Sequence, residues 1–352
     1  MAVAALVGCK EEGQTLYVGT YGDAIHILNY NPSTGELAES GTIPAEDASY
    51  IAFGEDNADG GKVLYAVSER GDDSGAYSFA ESPEGWRLTA HSHETGADPC
   101  FIFPVPGTGK VITADYSGGD FSVFDTEDGV LTGRIQNDIF PGAHIHQTRE
   151  LPTSMAEGAE GRYILVSDLG NSLIRVNKLT GEEPFMVQTD SLQCGEGAGP
   201  RHMEFNESAS LLYCLTELSG EVIVWKVSTH DGKPSFSQVQ RVMADGYDAH
   251  GSGDIHLHPS GKWLYTSHRL QGDGISVLKV GEDGLLEKIG YTPTQSHPRN
   301  FTFSPDGRRI LVACRDTNSI QVFDIDPETG LLSECRHTFT TGSDKPVCLI
   351  FR

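Results

Sequence analysis

Arginine and histidine residues recur in this sequence beside short apolar runs, in combinations that could do chemistry on a small anion. Two of these combinations are Gly199-Pro200-Arg201-His202 and His297-Pro298-Arg299. The planar guanidinium of arginine suits two-point binding of a carboxylate or a phosphate. Histidine is the usual general base near neutral pH. Gathered in one place, such residues would bind an anionic small molecule and move a proton to or from it.

The charge balance of the whole chain makes this basic set informative. The 352 residues include 25 Lys and Arg against 50 Asp and Glu, a formal net charge of -25. A nucleic-acid-binding protein normally presents a basic face, so we expect no nucleic-acid partner. Any anion site must instead be a local basic cluster. No apolar run is long enough to cross a bilayer, so we expect no transmembrane segment.

The elements that must position these residues are short strands in a repeated unit. In the best copy, Phe301 and Phe303 alternate with polar residues, which is the two-residue period of a half-buried strand. A turn at Ser304–Gly307, an apolar run at Ile310–Cys314 and a third strand from Ile320 follow. Degenerate copies recur every roughly 43–55 residues, the repeat length of four-stranded propeller blades.

The two ends of the chain complete the repeat. Residues 15–18 and 24–28 are the second and third strands of a unit that lacks its first strand, and residues 345–352 form a first strand alone. Six internal units and one shared unit predict an all-β, seven-bladed β-propeller, closed by pairing of the N- and C-terminal strands. Such closure leaves no open sheet edge. We expect residues 15–352 to form this single domain.

Blade geometry converts the sequence into a list of residues at the channel mouth. The start of the inner strand and the end of the second strand lie on one face of the disc. At the start of the inner strands, the repeat predicts Ser49, Cys100, His146, Arg201, Gly253, Arg299 and Val347. At the ends of the second strands it predicts Glu69-Arg70, Asp115-Tyr116, Asp168, Glu217, His268-Arg269 and Arg315-Asp316. The sequence therefore predicts a ring of arginine and histidine around one channel.

Several motifs in order resemble a known family over roughly residue 15 to the C-terminus. They are residues 114–119 (ADYSGG), 168–170 (DLG), 199–202 (GPRH), 297–301 (HPRNF) and 304–308 (SPDGR). This set is similar to the seven-bladed propeller lactonases, which include bacterial propeller-type 6-phosphogluconolactonases and the fungal carboxymuconate-lactonising enzyme. The resemblance implies hydrolysis of an anionic sugar lactone such as 6-phospho-D-glucono-1,5-lactone, without a metal or another cofactor. The irregular run Gly251–Asp254 departs from the pattern of the other blades.

The resemblance also implies which residues act. A His, two Arg and a Glu proposed for the fungal enzyme fall on His146, Arg201, Glu217 and Arg269. His146 would be the general base on water, one arginine would stabilise the oxyanion, and the other would hold phosphate or carboxylate. Glu217 would orient or balance an Arg or His, or act as an acid. We expect further substrate contacts from Arg299, His202, His297, Asp168 and Tyr116.

Other functions remain open at this stage. A propeller can be a non-catalytic binding or scaffold protein, although the Gly-His and Trp-Asp signature of WD repeats is absent. A carboxymuconate cycloisomerase would use the same kind of site. A calcium-dependent lactonase could recruit Asp115, Asp168 and Glu217. A serine hydrolase is disfavoured because no Gly-x-Ser-x-Gly elbow joins a strand to a helix.

The first residues carry a separate signal. Leu6-Val7-Gly8-Cys9 is similar to the lipobox of bacterial lipoproteins, and residues 1–14 would then be a signal and tether, although a basic n-region is missing. The alternatives are a cell-envelope lipoprotein anchored at Cys9 and a cytoplasmic protein. Export would favour an unphosphorylated sugar lactone or a binding role. The other six cysteines lack metal-site spacing, and we expect core thiols, with disulfides as the alternative if the protein is exported.

Overall fold

The computed structural model describes residues 14–152 and 160–352. The predicted lipid-anchor segment, including Cys9, lies outside the described residues, and so do residues 153–159 of the insertion between positions 152 and 161. The described chain is built almost entirely of strands, with two short 3-10 turns at Gly71–Asp73 and Arg315–Thr317. No helix in these two ranges is long and apolar enough to span a membrane.

Seven four-stranded antiparallel sheets form the blades. Blade 7 contains the first three strands of the chain, β1 (Gln14–Tyr21), β2 (Ala24–Tyr30) and β3 (Leu37–Pro44). Blade 1 contains β4 (Ile51–Phe53), β5 (Val63–Ser68), β6 (Gly75–Ser82) and β7 (Gly85–Ser92). Blade 2 contains β8 (Pro99–Val105), β9 (Lys110–Asp115), β10 (Asp120–Glu127) and β11 (Val130–Ile139). Blade 3 contains β12 (Ile145–Glu150), β13 (Tyr163–Asp168), β14 (Leu173–Leu179) and β15 (Met186–Gln193).

The second half of the chain repeats this arrangement. Blade 4 contains β16 (Pro200–Phe205), β17 (Leu211–Thr216), β18 (Glu221–His230) and β19 (Lys233–Met243). Blade 5 contains β20 (Ser252–Leu257), β21 (Trp263–His268), β22 (Gly274–Val280) and β23 (Leu286–Pro293). Blade 6 contains β24 (Pro298–Phe303), β25 (Arg309–Cys314), β26 (Ser319–Ile325) and β27 (Leu332–Thr340). The last strand, β28 (Lys345–Phe351), returns to blade 7.

The ring closes through the two chain ends. Strand β28 pairs antiparallel with β1, with Leu16 opposite Phe351 and Val18 opposite Leu349. Each inner strand contacts the inner strand of the next blade, including β28 against β4. The predicted seven-bladed propeller with one blade shared by the termini is therefore confirmed.

Apolar side chains hold neighbouring blades together. Each of the seven interfaces has its own buried cluster. At the closing interface, Tyr17 and Ile25 of blade 7 pack with Leu64 and Phe79 of blade 1. Burying one side chain of this size stabilises the fold by about 1.5–3 kcal/mol. Such interfaces make a rigid frame that can hold polar residues at the ring axis.

The six described cysteines are free thiols. Cys100, Cys194, Cys214, Cys314 and Cys348 are buried, as expected, whereas Cys335 is exposed.

Candidate active site

A one-residue bulge opens the inner strand of blades 2 to 7. In blade 4, Pro200 pairs with Thr216 while His202 pairs with Leu215, so Arg201 is left without a partner in the ladder. The equivalent extra residues elsewhere are Cys100, His146, Arg299 and Val347. A bulge re-aims a side chain away from the pleat. The bulges therefore explain why these residues leave their sheets and face the channel.

The bulged residues line one narrow cavity inside the ring. With the open space at its mouth included, its empty volume is about 250 Å³, of which about 10 Å³ admits a water-sized molecule. It is surrounded by Ser49, Tyr50, Cys100, His146, Arg201, His202, Arg299, Asn300 and Val347. These residues come from the inner strands of six blades or the residues just before them. Six of the seven predicted starts of inner strands therefore converge on one cavity. Gly253 does not line it, but its carbonyl accepts a hydrogen bond from Arg201 Nη1.

A second ring of residues lies where the second strand of each blade ends. Glu217 N–H donates to Gly199 O at 2.7 Å, and Arg269 N–H donates to Gly251 O at 3.0 Å. The same backbone bond fixes Glu69, Tyr116, Leu169 and Arg315 in their blades. In blade 7, Thr20 pairs with Pro346 just as Thr216 pairs with Pro200 in blade 4. Tyr21, the next residue, therefore takes the place that Glu217 has in blade 4. This backbone hydrogen bond determines which residue at the end of each second strand joins the ring.

Asp168 does not join this ring. It precedes the ring position, which Leu169 occupies, and side chains alternate between faces along a strand. Asp168 is fully buried and accepts hydrogen bonds from Arg175 Nη2 at 2.5 Å and Asn171 N at 3.0 Å. Its carboxylate ties blade 3 together and is not among the groups that surround the cavity, in contrast to the substrate contact expected from the sequence.

The residues one position before the ring in blades 2 and 5 are also held by hydrogen bonds outside the cavity. Asp115 accepts hydrogen bonds from Gly96 N at 2.8 Å and Ser122 Oγ at 3.0 Å. His268 is fully buried between Ser252 Oγ and Thr266 Oγ1. The carboxylates of a calcium-type site therefore do not converge. In the described parts of the chain, no group of three His, Cys, Asp or Glu residues could hold a metal ion.

Glu217 joins two buried arginines. Its Oε2 accepts from Arg201 Nε at 2.8 Å, and its Oε1 lies 3.1 Å from Arg269 Nη2. Arg201 is 2% exposed and Arg269 4%, so neither guanidinium is solvated by bulk water. Burial alone would raise the pKa of Glu217, but Arg269, Arg201 and Arg299 overcome it and lower that pKa. Glu217 is thus a carboxylate that balances the arginines.

The irregular run of blade 5 supports both arginines with backbone carbonyls. Gly253 O accepts from Arg201 Nη1 at 2.5 Å, and Gly251 O accepts from Arg269 Nε at 2.9 Å. Ser252 O accepts from Arg269 Nη2 at 3.2 Å. A Cβ on Gly253 would lie only 2.5 Å from Ser267 Oγ, so a larger residue does not fit. The irregular run Gly251–Asp254 therefore supplies the carbonyl groups that hold both arginines.

His146 is a buried imidazole with spare hydrogen-bonding capacity. It is 3% exposed, and its Nδ1 has no hydrogen-bond partner among the described residues. Burial, followed by the charge of Arg201, holds its pKa well below the ordinary value of 6.5. Its ring centroid lies 5.0 Å from that of His202 and 5.9 Å from that of Tyr116. His146 is accordingly neutral at pH 7 and able to accept a proton.

Arg299 is the least engaged of the three arginines near the cavity. Its one ionic contact in the described ranges is 3.9 Å long, from Nη2 to Glu69 Oε1, and its guanidinium lies 5.5 Å from the ring centroid of Tyr21. Glu69 Oε2 already accepts from Tyr21 Oη at 2.7 Å and Ser49 Oγ at 2.6 Å. Arg299 can therefore exchange a weak contact for a bound anion.

The remaining expected contacts, His297 and Tyr116, lie next to residues of the site but do not line the cavity. His297 Nε2 is 3.3 Å from Arg269 Nη1, and burial with the charges of Arg269 and Arg315 lowers the pKa of His297 to about 3. Tyr116 stacks on His144 with ring centroids 4.5 Å apart. Tyr21 was not predicted, because the second strand of its blade lies at the opposite end of the chain from the inner strand that holds Val347.

Comparisons with known proteins give a consistent picture. A family model described as "Lactonase, 7-bladed beta-propeller" matches residues 15–351. A 6-phosphogluconolactonase of Bacillus subtilis (strain 168) is 28% identical, and the alignment covers 95% of this chain and 97% of that protein. The crystal structure of a candidate 6-phosphogluconolactonase from Bacteroides fragilis is 34% identical with a TM-score of 0.85, covering 98% and 99% of the two chains. A periplasmic gluconolactonase of Pseudomonas aeruginosa, 23% identical, shares the fold with a TM-score of 0.85 over 97% and 99% of the chains.

Proposed function

The chain belongs to the seven-bladed β-propeller lactonase family, and we propose that it hydrolyses the ring ester of 6-phospho-D-glucono-1,5-lactone to 6-phosphogluconate. The relatives named 6-phosphogluconolactonase support this substrate, since one of them aligns with 95% of the chain. The observation that carries the proposal is the neutral His146 imidazole beside the Arg201 and Arg299 guanidinium groups in one axial cavity. A third guanidinium, that of Arg269, is joined to Arg201 through Glu217.

His146 is the general base of this mechanism. Its imidazole takes a proton from water while the water oxygen attacks the lactone carbonyl carbon. The same imidazole then returns the proton to the ring oxygen as the carbon–oxygen bond of the ester breaks. The unpartnered Nδ1 supports this role, because a buried polar atom without a partner is rare unless a ligand or water completes it.

Arg201 and Arg269 stabilise the oxyanion that forms on the carbonyl oxygen. Both groups are buried and fixed by Glu217 and by backbone carbonyls, so they need no rearrangement when charge develops. One preorganised donor of this kind is worth about 10²–10³ in kcat. Glu217 keeps the pair charged and aligned. His202 completes the lining of the cavity, and His297 and Tyr116 lie beside Arg269 and His146.

Arg299 binds the remote phosphate. It lies within the same cavity as His146 and Arg201, and its contact with Glu69 is weak. A bidentate arginine–phosphate contact would replace that contact with a stronger, charge-assisted one. This assignment separates the phosphate, held by Arg299, from the reacting carbonyl, held by Arg201 and Arg269.

Two finer assignments are part of the proposal. The product 6-phosphogluconate belongs to glucose metabolism, where the pentose phosphate pathway would consume it. A lipid anchor at Cys9 remains a prediction from the lipobox-like residues 6–9. Cell fractionation of the wild type and a Cys9→Ser variant tests it, since loss of the thiol should release an anchored protein from the envelope.

Hydrolysis rates on D-glucono-1,5-lactone with and without the 6-phosphate test the proposed activity. We expect turnover above the spontaneous rate, higher kcat/KM for the phosphorylated lactone, and no effect of a chelator. A protein that binds 6-phosphogluconate without turning over either lactone would be the binding or scaffold protein of the alternative hypothesis. Isomerisation of a carboxymuconate without lactone hydrolysis would identify a cycloisomerase.

A further inference from the structure

A buried carboxylate lies just beneath the cavity, on the strand that supports both arginines. Asp254 is 2% exposed and accepts four hydrogen bonds. Its Oδ1 receives His202 Nδ1 at 2.6 Å and Ile255 N at 2.9 Å. Its Oδ2 receives His256 Nε2 at 2.9 Å and Asn300 Nδ2 at 2.5 Å. The four acceptor positions of an ionised carboxylate are therefore all in use.

These hydrogen bonds determine which groups around Asp254 are protonated. Burial would raise the pKa of Asp254, but His256 and His202 overcome it and hold that pKa well below the ordinary range. Burial likewise opposes protonation of His256, but Asp254 and Glu204 raise its pKa to about 10. The charged His256 and the amide of Asn300 are donors, so Oδ2 cannot take a third donor.

The hydrogen on His202 follows from the same count. An ionised carboxylate only accepts, so His202 Nδ1 must carry the proton that points at Oδ1. The Nε2 of a neutral His202 then has a free lone pair. That atom lies 3.5 Å from Arg201 Nη1, which can only donate. One tautomer of His202 thus satisfies both neighbours, and the other would set two N–H groups against each other.

We propose that Asp254 is a positioning residue of the active site, which acts through the tautomer of His202 to hold the Arg201 guanidinium in place. Strand β20 would then fix Arg201 twice, through Gly253 O and through the Asp254–His202 pair. The orientation of the carboxylate–imidazole pair follows the logic by which a buried acid orients a catalytic histidine. The proposal rests on the oxyanion role given to Arg201 under Proposed function.

The titratable and charged groups that face His202 come from four elements. They are Arg201 on its own strand, Asp254 and His256 on β20, His146 on β12, and Tyr50 before β4. Burial and Arg201 lower the pKa of His202 to about 4 against the opposing effect of Asp254. His202 is therefore neutral, and its tautomer matters, over the whole range in which the enzyme would be assayed.

An Asp254→Asn variant is the sharpest perturbation of this arrangement. With its amide oxygen kept at the Oδ2 position, toward the charged His256 and Asn300, the NH₂ group falls where Oδ1 was and faces both His202 Nδ1 and the N–H of Ile255. That NH₂ would donate to His202 Nδ1 and move the ring hydrogen to Nε2, where it opposes Arg201. We expect kcat/KM to fall about 10²–10³-fold, the loss that follows removal of one oxyanion donor.

A double-mutant cycle with His202→Gln separates positioning from stability. If Asp254 acts through His202, then Asp254→Asn should cost less than about 2-fold in kcat/KM when the imidazole is already absent. An equal loss in both backgrounds would overturn the proposal. The matched control is Asp245→Asn, which removes another buried carboxylate, one that accepts from Tyr247 N and Ala249 N outside the cavity. Its kcat/KM should match the wild type.

Nitrogen-15 NMR of the histidine rings gives a readout that does not depend on turnover. In the wild type we expect His202, assigned by its loss in His202→Gln, to carry its hydrogen on Nδ1, and in Asp254→Asn on Nε2. A hydrogen on Nε2 in the wild type would refute the proposal, even if the Asp254→Asn chain failed to fold. An inactive wild type with the expected tautomer would instead refute the proposed function and leave the positioning contact intact.

Discussion

Replacing Glu217 by glutamine should damage both stability and catalysis, because one carboxylate serves two buried arginines. In the wild type, Glu217 lies 2.8 Å from Arg201 Nε and 3.1 Å from Arg269 Nη2. The Glu217→Gln side chain keeps nearly the same shape but has no charge. Two guanidinium groups would then remain in the interior of the ring without their shared counter-charge.

The size of the effect follows from burial. Removing one partner of a buried ion pair costs about 3–5 kcal/mol. The Glu217 side chain is 17% exposed, so water can partly replace it, and we expect a loss of about 3 kcal/mol in the free energy of unfolding. Backbone carbonyls still hold both arginines. We therefore expect kcat to fall about 10–100-fold, less than the 10²–10³ of a lost oxyanion donor.

Urea unfolding as a function of pH measures the stability part. Because the pKa of Glu217 is lower in the folded chain than its ordinary 4.5, its stabilisation is complete above that value and is lost as the pH falls through the lowered pKa. The difference between wild type and Glu217→Gln should thus be largest at pH 7 and shrink below pH 4.5.

A matched control removes a similar ion pair from the same blade. Glu221 accepts from Arg241 Nη2 at 2.6 Å, and the two side chains are 20% and 30% exposed. Glu221→Gln should cost at most about 1 kcal/mol and leave kcat unchanged. If Glu217→Gln behaved like this control, or if its stability loss did not depend on pH, the account of the bridged arginines would be refuted.

The remaining predictions concern the anion contact, the base and the residue that the structure separates from the site. Arg299→Ala should raise KM for the 6-phosphorylated lactone about 10–100-fold and change KM for the unphosphorylated lactone less than about 3-fold. The difference arises because only the phosphorylated lactone loses a bidentate contact to its phosphate. Equal effects on both substrates would contradict the assignment of Arg299. The kcat/KM profile should stay flat on lowering the pH through 6.5, because the pKa of His146 lies well below that value; an acid limb centred near 6.5 would contradict it. Asp168→Asn should lower the melting temperature, because it breaks the pair with Arg175, while KM stays within about 2-fold of the wild type; a large rise in KM would return Asp168 to the binding site.

The fold could be predicted because its signals are local and repeated. Apolar alternation and turn residues mark each strand, and the unmatched strands at residues 15–28 and 345–352 require one another. The same repeat also identified the positions that start each inner strand. Six of these residues, including His146, Arg201 and Arg299, line one cavity.

The sequence could not supply the exact register at the strand ends. A bulge adds one unpaired residue to the inner strand, and a single backbone bond decides which residue of the second strand joins the ring. Asp168 and Leu169 differ by one position, and alternation along the strand sends them to opposite faces. The charge of Asp168 favoured it as a channel residue in the sequence, but the strand register places Leu169 at the ring position.

Hydrogen bonds between side chains on distant strands could not be predicted from the sequence either. The carboxylate of Asp254 is satisfied by donors from β16, β20 and β24, which lie up to 52 positions from Asp254 in the chain. No local pattern marks such a residue. It becomes visible only when the blades bring its donors together.

Hydrolysis of 6-phospho-D-glucono-1,5-lactone by the wild type and by His146→Ala, at equal concentrations of folded protein, tests the central claim most directly. The axial cavity is the active site if the wild type exceeds the spontaneous rate and His146→Ala loses at least about 10²-fold in kcat, the usual contribution of a general base, with an unchanged melting temperature. Full turnover by a folded His146→Ala protein would place the chemistry elsewhere.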